Sequence, residues 1–385
     1  MIKIQDKSKC NGCHACAAIC PQNAISMVAD EEGFWYPSVE EFLCVNCSLC
    51  EKVCPVMKKE TETDEQTEAF AAFHRDGAIL KNSSSGGVFS ALAANVLSAG
   101  GVVFGAAFDS DFSVSHQAVT DISTLEKLRG SKYMQSRIGD SYRKAKAYLD
   151  EGKTVLFSGT PCQIGGLLSY LKKPYDTLIT QDIVCHGVPS PAVWQQYLAK
   201  RRREKGDASV CTVSFRDKAN GWKRYELSIG FEGGAEYRVP FTNDPMMRTF
   251  LRDLSLRPSC YDCAFKSVVR KSDITLADFW GVEKVMPDLD ADQGVSLVLL
   301  HSEKGKALFH SVEGELTVRP CDLSAALSHN PSAVKAPLRP SKRDAFIRKI
   351  LKQEKDFDET SERFLRVSVK QKIKKLLSKI KKKIF

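Results

Sequence analysis

Cys10-Asn-Gly-Cys13-His-Ala-Cys16-Ala-Ala-Ile-Cys20-Pro21 is followed downstream by Cys44-Val-Asn-Cys47-Ser-Leu-Cys50-Glu-Lys-Val-Cys54-Pro55. The pattern C-x2-C-x2-C-x3-C-P is thus written twice, with no cysteine between the runs. Three thiolates at such short spacing wrap one corner of an iron–sulfur cube, and the fourth cysteine of each run reaches the other cube. The spacing predicts one 4Fe-4S cluster on Cys10, Cys13, Cys16 and Cys54, and a second on Cys44, Cys47, Cys50 and Cys20. Pro21 and Pro55 turn the chain away from each site, because proline fixes φ and cannot extend a helix upstream. A zinc site closes one tetrahedron with four ligands, usually as separated C-x2-C pairs. A doubled four-cysteine run does not have that spacing.

Outward from this module, 385 residues are more than one core usually organises. Residues 1–57 read as a ferredoxin-like domain, 58–68 as a polar linker without apolar side chains, and 69–345 as a globular region divided near residue 150. Residues 346–385 read as a basic amphipathic helical tail. The expected fold class is α+β: a dicluster ferredoxin module of bacterial type, a mixed α/β region, then the basic helix. Eight of the fourteen cysteines are taken by the two runs, and the first residues lack the apolar core of an export signal. The expected location is therefore cytoplasmic. Residues 82–108 carry no charge over 27 positions, long enough for a membrane span. Gly100 and Gly101 split the stretch instead into a buried helix and a buried strand.

The formal net charge is +9, and ten Lys or Arg with no acid lie in residues 363–385. The body is close to neutral, which argues against a nucleic-acid surface. In the tail Val369, Ile373, Leu376, Leu377, Ile380 and Ile384 recur at helical spacing with lysines between them. Such a helix suits an anionic membrane surface and would place the protein peripherally on the inner face; a solvated tail is the plain alternative.

Within the globular region, Ser84, Ser85, Gly86 and Gly87 open a helical pattern, Val88 to Leu97. Serines there can cap free N–H groups, the glycines allow close approach, and a helix N-terminus favours anions. Lys132 sits with Arg129 and Tyr133 around Gly130, a loop with a basic edge. Residues 154–168 read as a strand, a turn at Gly159-Thr160 and a helix start, without the Gly-Lys-Ser/Thr ending of a phosphate loop. No G-x-G-x-x-G follows a strand, so a standard dinucleotide fold is disfavoured. Cys162 and Cys185 end strands, and Cys260 and Cys263 form C-x2-C. Spacing leaves two readings open: a third cluster, or a reactive Cys162, activated at a helix N-terminus, beside a zinc half-site. Cys211 lies in a strand pattern and reads as a small buried hydrophobe, and Cys321 stands alone.

Several stretches together resemble the family of coenzyme F420 hydrogenase and dehydrogenase beta subunits, in the form with an N-terminal ferredoxin domain. They are residues 82–93, 129–136, 158–167, 182–191, 259–266 and 274–282, in the family's order. The resemblance implies that 69–150 and 151–345 are the family's N- and C-terminal regions. It also implies FAD, and a third 4Fe-4S cluster on Cys162, Cys185, Cys260 and Cys263 beside it. Flavin contacts are expected at Ser84, Ser85, Gly86, Gly87, Lys132, Gly159 and Thr160. His186 reads as a proton donor or a structural histidine, and Asp278 and Trp280 match without a role. The implied function is an oxidoreductase passing electrons between a soluble carrier, reduced coenzyme F420 or ferredoxin, and a second redox partner protein. The alternative is a non-catalytic cluster wire serving a separate enzyme.

Overall fold

The computed structural model of the chain describes residues 1–57 and 67–366. Most of the expected linker and the whole apolar ladder from Val369 to Ile384 lie outside the described residues.

In the cysteine-rich module, β1 (Ile25–Ala29) and β2 (Trp35–Val39) pair antiparallel around a turn at Asp30–Gly33. Asp30 builds that turn: its Oδ1 accepts from the N–H groups of Glu32 and Phe34, both at 3.0 Å. Each cysteine run enters a short helix, Ala15–Ile19 or Leu49–Lys52, through a left-handed residue, His14 or Ser48.

The main sheet begins with β3 (Glu68–His74), β4 (Val102–Phe108), β5 (Val114–Val119), β6 (Val155–Gly159) and β7 (Leu178–Ile183). A separate antiparallel sheet of β8 (Val210–Asp217), β9 (Glu226–Phe231) and β10 (Glu236–Pro240) follows. The main sheet is then completed by β11 (Ile274–Asp278), β12 (Ser296–Leu300) and β13 (Leu316–Pro320), in the order β13-β3-β12-β11-β7-β6-β4-β5. Its centre, β4-β6-β7-β11, is parallel and its flanks are antiparallel. This arrangement fits the mixed α/β reading of the globular region.

Strand alternation assigns the two faces of the sheet. Val103 and Leu156 point into a core with the helix Val88–Ser98. Val102, Phe104, Val155 and Phe157 point the other way, into a core with Ile164 and Leu167 of the helix Pro161–Leu171. That second core also contains Ile2, Ala15, Cys16, Ile25, Cys50 and Val53. The cysteine-rich module is therefore built onto one face of the sheet.

Two readings are corrected. Residues 346–365 were expected in the tail, but the helices Arg343–Leu351 and Phe357–Leu365 bury Phe346, Ile347, Ile350 and Phe357 against Trp194, Tyr197 and Phe250. Cys211 was expected buried, yet it is exposed on β8 beside a register shift that interrupts the regular in–out alternation. The uncharged segment 82–108 is the helix Val88–Ser98 and β4, separated by Gly100 at φ 78°. Among the described residues no helix is long and apolar enough to cross a membrane.

Candidate functional site

A cavity of about 340 Å³ opens at the carboxyl ends of the parallel strands β6, β7 and β11. Crevices at that end of an α/β sheet are where ligands bind, because backbone and helix termini point there. One wall is Ser84, Ser85 and Gly87, another is Lys132 on its loop, and a third is the Gly159-Thr160 turn. Cys162, Cys185, Cys260 and Cys263 line the same space.

The four thiols come from three elements: the first turn of the helix Pro161–Leu171, the chain just past β7, and the 3-10 turn Pro258–Asp262 with its following residue. Each lies near enough to the other three for their charges to interact. As free thiols Cys162, Cys185 and Cys260 are poor nucleophiles. Burial, then the neighbouring Cys263, pushes the Cys162 thiol well up, and burial pushes Cys260 up to about 12. This counts against the activated-thiol reading, since desolvation outweighs the helix N-terminus. The donors around the sulfurs suit thiolates: the Val188 N–H points at Cys260 Sγ at 3.5 Å, and Thr160 Oγ1 stands 3.2 Å from Cys162 Sγ. Among the described residues no group of three or more His, Cys, Asp or Glu is drawn around one point for a single metal ion. A zinc tetrahedron requires that; a cube, whose thiolates bind separate irons, does not.

The cysteine-rich module shows the same crossed grouping in space that its spacing predicts. Cys10, Cys13, Cys16 and Cys54 are mutually close, whereas Cys20, Cys44, Cys47 and Cys50 line a second, smaller cavity. The helix Pro161–Leu171 joins the first of these groups to the large cavity. Cys162 is in its first turn, and one turn on a methyl at Gly166 would meet Cys13 Sγ at 3.1 Å and Tyr142 Oη at 2.8 Å.

Of the seven residues expected to touch a flavin, six line the cavity and Gly86 does not. Gly86 is a packing glycine: a methyl there would meet the Ala72 carbonyl at 2.3 Å and the Ser296 nitrogen at 2.7 Å. The serines do not cap the helix. Its N-cap is Gly87, in the left-handed region at φ 80°, while Ser84 Oγ accepts from Ser131 N–H at 2.7 Å and Ser85 Oγ donates to the Val295 carbonyl at 2.9 Å. These bonds tie the glycine turn to the Lys132 loop and to the residue that leads into β12. Thr160 and Gln163 form a capping box at the helix Pro161–Leu171, with Thr160 N–H donating to Gln163 Oε1 at 2.9 Å. Lys132 Nζ donates to the carbonyls of Arg129 and Gly130 at 2.7 and 3.2 Å, and burial lowers its pKa to about 7.

His186 is held, with Nε2 2.7 Å from Asp253 Oδ1. Asp278 receives the buried guanidinium of Arg216 at 2.8 and 3.2 Å and the Trp222 indole N–H at 3.2 Å. Trp280 stacks on Trp222 at 4.8 Å and its ring lies 5.2 Å from the same guanidinium. Their role is thus to hold Arg216 beside the serine turn, where it also donates to the Ser84 carbonyl at 3.3 Å. Sequence reasoning missed Arg216, His116 and Arg257. For the first there was no clear signal, since Arg216 stands beside Asp217 at the end of a strand that also contains Thr212 and Ser214. His116 lines the cavity between Ser136 Oγ (2.6 Å) and the Ser158 carbonyl (3.0 Å), and burial holds it neutral, with a pKa near 4.

Residues 69–141 and 152–324 match, respectively, the N-terminal and the C-terminal family of the coenzyme F420 hydrogenase/dehydrogenase beta subunit, and residues 9–57 match the 4Fe-4S dicluster domain. An uncharacterized protein of Methanocaldococcus jannaschii is 25% identical over 206 residues, covering 46% of this chain and 56% of that protein. The F subunit of the F(420)H(2) dehydrogenase of Methanosarcina mazei is 26% identical over 165 residues, covering 40% of this chain and 46% of that protein. The chain thus spans about half the length of these two relatives. An uncharacterized ferredoxin of M. jannaschii is 38% identical over 52 residues, 14% of this chain and 66% of that protein. Among solved structures, a chain of the F420-reducing (NiFe) hydrogenase complex from Methanosarcina barkeri aligns with a TM-score of 0.47 and 18% identity, covering 79% of this chain and 94% of that one.

Proposed function

Because the chain belongs to the family of coenzyme F420 hydrogenase/dehydrogenase beta subunits and carries a 4Fe-4S dicluster domain ahead of the family region, we propose that it is an FAD-dependent iron–sulfur oxidoreductase. It exchanges electrons between a soluble carrier, reduced coenzyme F420 or ferredoxin, and a second redox partner protein. The observation that carries this reading is the convergence of Lys132, the Gly159-Thr160 turn and four thiols on one cavity. A flavin exchanges electrons in pairs or singly and a 4Fe-4S cluster singly, so the two together join a hydride carrier to one-electron partners.

The chain's own groups would hold these cofactors. Cys162, Cys185, Cys260 and Cys263 would ligate a third cluster, and Cys10, Cys13, Cys16, Cys54 and Cys20, Cys44, Cys47, Cys50 the two ferredoxin clusters. The helix N-terminus at Gly87, which no side chain caps, offers backbone N–H groups to an anion, and Lys132 Nζ offers a charge. His116, kept neutral, adds no competing charge to that wall.

Lys132 gives the flavin reading a pH signature. Its folded-state pKa, near 7, lies below the ordinary lysine value because burial disfavours the ammonium, so the charge on the anion wall is present below pH 7 and lost above it. FAD affinity is expected to fall about tenfold between pH 6 and pH 8, the change in protonated fraction over that window. In Lys132→Met the affinity should be weak and flat with pH. Equal slopes in the two proteins, measured by flavin fluorescence quenching, would remove Lys132 from the site.

The functional test is anaerobic stopped flow on the full chain, following flavin bleaching with reduced coenzyme F420, NADH, NADPH and reduced ferredoxin. Fast bleaching by reduced F420 or ferredoxin is expected. Bleaching by NADH or NADPH alone would defeat this choice of carrier. Protein with full iron that neither contains nor binds FAD would be the cluster wire of a separate enzyme, a role that the thiol groups alone can serve.

A further inference from the structure

Arg257 is 1% exposed and touches three separate parts of the molecule. Its Nε donates to the Cys10 carbonyl at 2.9 Å, Nη1 to Gln135 Oε1 at 2.8 Å, and Nη2 to the Trp35 carbonyl at 3.0 Å. The rings of Tyr36 and Phe34 cover it at 4.3 and 5.3 Å. On its own segment, the Arg257 carbonyl accepts from the Cys260 N–H at 2.9 Å. A methyl at Gly12, between Cys10 and Cys13, would meet Nη1 at 3.0 Å, so the guanidinium lies directly on the first cysteine loop.

All of these hydrogen-bond acceptors are neutral. A buried cation without a carboxylate partner is costly, and a hydrophobic side chain of similar size would pack there at less cost. The arrangement is favourable only if negative charge accumulates beside it, which a thiolate-bound cluster supplies. The Cys10 and Cys260 thiols both feel its charge. The second cysteine group, Cys20, Cys44, Cys47 and Cys50, lines a cavity that Arg257 does not reach.

We propose that Arg257 sets the redox asymmetry of the ferredoxin module: its uncompensated charge makes the Cys10–Cys13–Cys16–Cys54 site easier to reduce than the outer Cys20–Cys44–Cys47–Cys50 site. The step is a one-electron reduction of the cluster that the Cys10 site would hold, matched by one electron lost from the reductant poising the potential, with no atom transferred. The inference rests on the two ferredoxin groups holding clusters. It makes Arg257 a positioning residue that acts through charge.

The test is a redox titration of the anaerobic full chain followed by electron paramagnetic resonance. Wild-type protein should show two ferredoxin clusters with separate midpoints. In Arg257→Met, the ratio of reduced to oxidised cluster at fixed potential should fall about tenfold for one of them, about 59 mV for a one-electron couple, with the other unmoved. Gln135→Glu places a carboxylate against the guanidinium and should shift the same cluster in the same direction, whereas Arg257→Lys should restore most of the wild-type value. Coincident midpoints in the wild type, or a variant with full iron and both midpoints unchanged or moved equally, overturns the proposal. Should Arg257→Met lose iron, Gln135→Glu and the wild-type separation decide. Absence of two ferredoxin-type signals in the wild type would instead be a failure of the cluster reading beneath it.

Discussion

Replacing Cys260 and Cys263 together with serine is expected to remove about four of about twelve irons per chain and leave the signals of the ferredoxin clusters in place. The geometry supports a selective loss. Both residues belong to one 3-10 turn and its end, Pro258–Asp262 and Cys263, and neither approaches the second cysteine group. Burial already pushes the Cys260 thiol up to about 12, and a bound metal is what would keep that sulfur a thiolate in this space. Full iron in the double variant would end the third-cluster assignment. Loss of all iron would mean that the cavity thiols hold the whole structure together instead of one separable site.

The second large effect is expected from one methyl group. In Gly166→Ala the added carbon falls 3.0 Å from Cys13 Cβ, 3.1 Å from Cys13 Sγ and 2.8 Å from Tyr142 Oη. Neither neighbour has room to retreat: Tyr142 is fully buried and donates to the Gln163 carbonyl at 2.7 Å, and Cys13 is packed against the same core. Overpacking of this kind costs about 1–3 kcal/mol. It should appear as a lower denaturation midpoint together with disturbed iron at the first ferredoxin site, the second remaining as it was. An unchanged midpoint with full iron would show that the helix Pro161–Leu171 and the first cysteine loop are not in close contact.

How much of this was legible beforehand follows from how local each feature is. The eight ferredoxin cysteines could be grouped from spacing because iron ligation constrains neighbours in sequence. Cys162 and Cys263 are separated by the whole of β7 to β10, and only the fold brings them to one cavity. Gly86 looked like a ligand-contacting glycine because sequence cannot tell a residue that faces a ligand from one that lets two backbones approach. Arg257 and Tyr142 gave no signal, since a role between two modules exists only once the modules are packed. The helix Arg343–Leu351 was misassigned for a related reason. The boundary drawn at residue 346 gave most of it to the basic tail that follows, whereas its apolar side chains Phe346, Ile347 and Ile350 pack against the globular body.

The single core shared by the cysteine-rich module and the sheet also bears on how the protein is made. Cys16 and Cys50 are buried among the same side chains as Phe157, Ile164 and Leu167. Where metal binding drives the folding of a small module, its energy is folding energy for whatever is packed against it. Here that is one face of the eight-stranded sheet. A cell short of iron would therefore leave that face uncovered in newly made chains, and the sheet region would turn over with the clusters it lacks. Metal supply would govern the abundance of the entire polypeptide, including the part that contains none of the ferredoxin cysteines.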